Sequence, residues 1–319
     1  MKKWIVLSCL TISLTACFKK EIPVPKPSID AMTGHVELGS NYANQLFYDI
    51  ETNTVLKKNN REIWDLGFEC GATGTHIILN TARLMSAVET VETDILAVNS
   101  DAGLTYYYDR PSGDYDSIAF KNWQAGKVYI VNLGMNNNGI QLGKKKVKVL
   151  SVNASEYQIQ FADLNSSSIK SLTIPKSDDL NFQCVSLTDE GSIQSIEPDK
   201  SKWDLEFTSF CHVYADGTPY SVTGALSNRF GVKVQEVSKS FADFSYSDIQ
   251  EDLFKNRLNV IGFDWKVYDF DNGVYSVNSS RTFVIKTIEG KYYKLRFIDY
   301  YSDSGEKGAP KFEYKELIP

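Results

Sequence analysis

Apolar and polar residues alternate with a period of two in two short segments that read almost alike. In Glu62-Ile63-Trp64-Asp65-Leu66-Gly67-Phe68-Glu69, the Trp, Leu and Phe hold alternate positions. Ser201-Lys202-Trp203-Asp204-Leu205-Glu206-Phe207-Thr208 repeats the pattern, with the two tryptophans 139 positions apart. That period belongs to a half-buried strand, so the aromatics are expected inward and the acids outward.

The similarity runs on in both directions. Upstream, Asn44–Asp49 leads into Trp64 as Asn181–Ser186 leads into Trp203, each suggesting a strand, a polar turn and a second strand. Downstream, Gly126–Val131 resembles Asn272–Val277. Strand pairs then follow each, Lys146–Leu150 with Tyr157–Phe161 and Phe283–Lys286 with Tyr293–Phe297. The pattern predicts an all-β protein of two tandem copies of one antiparallel domain, residues 41–180 and 181–319, dividing near Pro175 to Leu180. Two repeats are too few for a solenoid. One short helix is expected over Ser247–Leu258, with Ser247-Asp248 as its cap and Ile249, Leu253 and Leu258 as a thin apolar face.

The first residues follow a different pattern. Met1-Lys2-Lys3 is positive, Trp4 to Ile12 is apolar apart from Ser8 and Thr11, and Leu14-Thr15-Ala16-Cys17 closes the stretch. The apolar run is too short to span a bilayer and reads as a signal peptide over residues 1–17. Small residues before a cysteine match the lipobox, making Cys17 the expected lipid-attachment residue and the chain a membrane-anchored lipoprotein. Each buried acyl methylene adds roughly 0.8 kcal/mol of membrane affinity. The plainer alternative is an ordinary cleaved signal with an incidental cysteine. Phe18, rather than Asp, follows the cysteine, so inner-membrane retention is not indicated and an outer-membrane location is expected. Residues 18–40 read as a tether, its first part rich in proline and charge.

Composition narrows the function classes. A formal charge of −6 implies no basic face for nucleic acid. The 18 Tyr and 17 Phe favour β structure. Without Cys9 and Cys17, the cysteines are Cys70, Cys184 and Cys211, an odd number without a C-x-x-C pair. A zinc cluster is not indicated. One disulfide of undetermined pairing and buried free thiols both remain open.

Three stretches of the second copy stand out: Trp203-Asp204-Leu205-Glu206-Phe207, Asp264-Trp265-Lys266-Val267-Tyr268, and the C-terminal run Gly290-Lys291-Tyr292-Tyr293-Lys294-Leu295-Arg296-Phe297 with Gly305–Tyr314. Through them the second copy resembles the HmuY family of haem-binding lipoproteins from Bacteroidota. The likeness is most specific from residue 186 onward and looser over residues 40–170. It implies an almost wholly β fold, haem as cofactor or cargo, and transfer to a TonB-dependent outer-membrane receptor. The family's best-known member holds iron with two histidines, whereas here His212 stands alone within the second copy.

Haem iron accepts His, Met, Tyr or Cys against an apolar wall. The candidate ligands are His212, His76 and Met135. His212 lies in Phe210-Cys211-His212-Val213-Tyr214, and strand alternation puts Phe210 and Tyr214 on its face as candidate pocket walls. His76 holds a comparable place beyond Trp64, and Met135 lies in a Gly/Asn loop. Each also has an ordinary reading, as a strand, loop or solvent-facing side chain. Met85 reads as core. Tyr106-Tyr107-Tyr108 and Tyr292-Tyr293 read as strand aromatics before stacking platforms. Lys144-Lys145-Lys146 reads as a solvated turn before a propionate site.

No enzyme is expected, since the chain has no G-x-S-x-G, H-E-x-x-H or P-loop. Asp269-Phe270-Asp271-Asn272-Gly273 lacks the third acid and distal Glu of a calcium loop and reads as a hairpin turn. The leading expectation is a surface lipoprotein capturing a ligand, with haem the candidate, for receptor-mediated uptake. The alternative is a structural or interaction lipoprotein that binds protein or glycan.

Overall fold

The computed structural model describes residue 28 and residues 30–319. The signal peptide, Cys17 and residues 18–27 and 29 of the expected tether lie outside the described residues, whereas the later part of that tether belongs to the fold, with Met32–His35 a strand paired to Lys307–Glu316 and Val36 and Leu38 in the core. Every strand pairing is antiparallel, and helix appears only as short 3-10 turns among the described residues. The fold is all-β. Over the expected helix the chain makes two such turns instead, Tyr246–Asp248 and Glu251–Leu253. The cap is Ser245 rather than Ser247, forming a reciprocal box with Asp248. A thin apolar face cannot sustain more helix than that.

Four sheets stack in the order outer, inner, inner, outer. One outer sheet runs Met32–His35, Lys307–Glu316, Tyr292–Tyr301, Thr282–Lys286 and Lys233–Val237. The inner sheet against it runs Pro219–Ser227, Leu205–Val213, Asn44–Asp49 and Thr54–Asn60. Their shared core includes Leu46, Phe207, Trp265, Phe297 and Phe312. The second inner sheet runs Ser192–Gln194, Phe182–Ser186, Leu66–Glu69 and Ile77–Leu79. It packs on the outer sheet Lys170–Pro175, Glu156–Asp163, Lys144–Val152, Val128–Asn132 and Ser86–Glu89 through Phe68, Met85, Tyr129, Val147 and Ile159. Between the inner sheets lie Phe47, Trp64, Cys184, Ile196 and Trp203.

The sheets cross the division expected near residue 180. The hairpin Asn44–Asn60 pairs with the strand after Trp203, and the hairpin Phe182–Gln194 pairs with the strand after Trp64. Neither hairpin joins the Trp strand of its own half, which corrects the expectation that each leads into the following Trp motif. The two junctions match bond for bond. Asp65 donates its backbone N–H to Val185 and accepts from the Leu187 N–H; Asp204 does the same with Tyr48 and Ile50. The side-chain amide of Asn80 donates to the Trp64 carbonyl, as that of Asn228 does to the Trp203 carbonyl.

The acids of the Trp-Asp motif do not face outward. Asp65 and Asp204 are buried, because their carboxylates cap the incoming hairpins. The strands proper begin one residue later, at Leu66 and Leu205. Elsewhere the alternation reads correctly: Lys144–Val152 pairs with Glu156–Asp163, and Thr282–Lys286 pairs with Tyr292–Tyr301. The Asp269–Gly273 turn closes the ribbon Lys266–Asp269 with Val274–Val277, Asp269 accepting from the Asp271 and Asn272 N–H groups.

Candidate functional site

His212 lies one residue before the end of the strand Leu205–Val213, opposite Tyr220. Its ring is half-buried, 4.8 Å from Tyr214 and 5.0 Å from Phe263. Its nitrogens hold no hydrogen bond among the described residues. Phe210 sits on the same face, fully buried, with its ring 6.3 Å from Phe263. Tyr214 and Tyr220 are exposed, 6.0 Å apart. The result is an uncommitted imidazole at the rim of an aromatic patch, able to ligate a metal in a flat apolar ligand. Cys211 points the other way into the interior, where burial pushes its thiol up to about 12 and removes it as a thiolate donor.

His76 is committed elsewhere. Its Nδ1 lies 2.6 Å from Glu69 Oε2 and, facing a carboxylate that can only accept, carries the proton. The ring stacks on Tyr115 at 3.5 Å, and the Tyr115 hydroxyl donates to the other Glu69 oxygen at 2.7 Å. Burial would push Glu69 up, but donors from His76, Tyr115 and Thr75 hold it below the usual carboxylate range. Met135 is half-buried in a third place. Gly134, at φ +68°, turns the chain so that the Met135 N–H reaches the Arg83 carbonyl at 2.9 Å. Among the described residues no contact joins His76, His212 and Met135, so the structure does not assemble them into one ligand set. Residues 109–118 run between the two histidines, Tyr115 stacking on His76 while Arg110 donates to the Val213 carbonyl.

The remaining candidates have structural posts. Met85 is fully buried core. Tyr293 is buried, and Tyr106 donates to Asp101. The lysine run is a strand rather than a solvated turn: Lys144 and Lys145 pair with Asp101 and Asp163, and the fully buried Lys146 donates to the Val98 carbonyl. Cys70, Cys184 and Cys211 are buried free thiols, which decides between the two cysteine readings.

Two features escaped the sequence reading. One is Phe263, which a loop brings to His212. The other is a cleft between the two inner sheets, a cavity of about 150 Å³ lined by Phe47, Trp64, Trp203, Glu197 and Glu206 among others. The paired Trp-Asp motif was its only sequence signal. Burial pushes Glu206 up to about 6 and Glu197 up to about 7.

The described residues thus form an all-antiparallel β protein that carries the unbonded His212 at an aromatic rim. The family model of the HmuY protein matches residues 41–314, and the chain belongs to the HmuY family. Solved structures align over most of their length at low identity. Apo PinO from Porphyromonas gingivitis is 9% identical, covering 91% of this chain and 99% of its own at a TM-score of 0.27. The Tannerella forsythia apo HmuY analog is 10% identical over 91% and 96%, also at 0.27. A putative HmuY-like heme binding protein from Bacteroides vulgatus is 13% identical over 93% and 97%, at 0.25. No curated protein matches the chain.

Proposed function

We propose that this chain is an outer-membrane lipoprotein, anchored through Cys17, that captures haem on the His212 face and offers it to a TonB-dependent receptor. Membership in the HmuY family supports the class. The observation that carries the ligand is His212, whose nitrogens are unbonded beside Tyr214 and Phe263. With no second histidine beside it, His212 would hold the iron alone or together with a tyrosine such as Tyr214 or Tyr220.

Hemin titrated into the lipid-free protein is expected to give a shifted Soret band. His212→Ala should weaken affinity at least tenfold, about 1.4 kcal/mol, and move the band, while His76→Ala leaves both unchanged. No Soret shift in either redox state would sink the haem reading. The interaction-lipoprotein reading would then stand, and the ribbon Lys266–Val277 favours it, presenting Phe270 at 85% and Val267 at 61% exposure.

Anchoring is checked separately. Cys17→Ala should abolish palmitate labelling and leave the protein uncleaved or released in soluble form. A variant that partitions with membranes as the parent does would disprove the lipobox.

A further inference from the structure

Four of the nine buried polar side-chain atoms without a partner among the described residues belong to residues lining the cleft between the inner sheets. They are the indole N–H groups of Trp64 and Trp203, the Gln45 carbonyl oxygen and the Ser209 hydroxyl. Each of these residues is more than nine-tenths buried. Buried polar groups in folded proteins are nearly always satisfied, so such a concentration marks a place built to meet something else, with the Gln45 oxygen and Ser209 hydroxyl free to accept and the indole N–H groups free to donate.

The charge there is unbalanced too. Glu206 takes one donor, the Gln45 amide, and Glu197 takes only neutral ones, from Asn181 and Phe182. Neither forms an ion pair among the described residues. Two cations, Arg110 and Arg229, line the cavity against the three acids Asp109, Glu197 and Glu206, which leaves one negative charge over. Arg229 donates to the Gly113 carbonyl, lies over the Tyr115 and Phe182 rings and is drawn to buried Asp109. Arg110 donates to the Val213 carbonyl, and Lys57 to the Ser195 hydroxyl and the Glu197 backbone carbonyl.

We infer that this cleft is a binding site for a small organic ammonium compound with an apolar body, separate from the His212 face. Glu206 and Glu197 supply the counter-charge and Gln45 a further acceptor, while Phe47 and the two tryptophans supply aromatic surface. A cation is attracted to aromatic faces, most strongly to Trp, and more so when desolvated. A cavity of about 150 Å³ matches one known to hold benzene when lined by apolar side chains, so a single-ring amine is the right scale. The site needs no haem, and its test is indifferent to the outcome of the hemin titration.

Benzylamine, protonated at pH 8, and benzyl alcohol, its neutral counterpart, are the probes. Each is titrated into the lipid-free protein by calorimetry, with tryptophan fluorescence as a second readout. Benzylamine is expected to bind at least tenfold more tightly than benzyl alcohol at pH 8, and to lose that advantage at pH 5, where the carboxyls are protonated. Glu206→Gln, which keeps an acceptor and a donor towards Gln45, should remove the advantage while leaving benzyl alcohol unaffected. An unchanged thermal transition establishes that this variant folds. Trp203→Phe, which keeps an aromatic ring but loses the N–H and part of the aromatic face, should weaken benzylamine by a smaller factor. Equal binding of the two probes would reduce the cleft to an apolar void, and binding of neither to a water-filled one. Either result overturns the inference.

Discussion

Asp65→Asn should destabilise the protein by about 3–5 kcal/mol, while Asp204→Asn, at the matching position, should be neutral or stabilising. Asp65 pairs with Arg83 at 2.5 Å, both side chains almost wholly buried. Replacing it leaves a buried guanidinium without a counter-ion. Three residues after Asn80 stands Arg83, but three after Asn228 stands Gly231, so Asp204 has no such partner. Burial pushes Asp204 from the usual 3.8 up to about 7, with Asp49 nearby adding to the effect. Asn retains an acceptor for the Ile50 N–H and removes the cost of the charge. The native protein binds a proton on Asp204 that the unfolded chain lacks between pH 3.8 and about 7. The parent therefore regains stability as pH falls through that window. The advantage of Asp204→Asn, on the order of 1–4 kcal/mol, should be full above neutrality and gone below pH 4. Urea denaturation of both variants at pH 8 and pH 4.5 measures this; equal losses at pH 8 would refute the asymmetry.

Trp265→Ala should cost about 3–5 kcal/mol. The side chain is fully buried, stacks on Phe297 at 3.7 Å and 9°, meets Tyr300 edge-on, and donates from Nε1 to the Gly262 carbonyl. Its loss also strips Lys266 of a ring 4.5 Å from the ammonium, a group that burial already lowers to about 7. Phe270→Ala, on the exposed tip of the same ribbon, serves as the control and should fall within about 0.5 kcal/mol of the parent. A loss for Trp265→Ala as small as that of the control would show that the core tolerates the void.

The strands were legible because alternation reports which face of a strand is buried. It does not report which strand lies alongside. With two similar hairpins and two similar Trp strands, local pattern cannot separate pairing within a half from pairing across halves, and the molecule uses the latter. Asp65 and Asp204 were misplaced for a related reason. Their partners are backbone N–H groups of Leu187 and Ile50, far away in sequence, so each looked like a solvent-facing acid. Glu206 was misplaced as well, since it lies where one inner sheet meets the other and takes the Gln45 amide. His212 and its strand neighbours were legible, whereas Phe263 reaches it only through the fold.

The pairing of the first strand with the last has a consequence for biogenesis. Met32 lies opposite Tyr314, 282 positions away, and Ser28 donates to Glu313. Loop closure over such distances must precede the contacts that reward it, so folding of this topology is slow. The strand after Trp64 also waits for a hairpin that follows residue 181. The sheet pair over residues 66–194 can close once Phe182–Gln194 is made, whereas the other pair has no complete outer sheet until the final residues are made. The outer sheet that holds Met32–His35 and the inner sheet packed on it are therefore expected to be the last part of the fold to form.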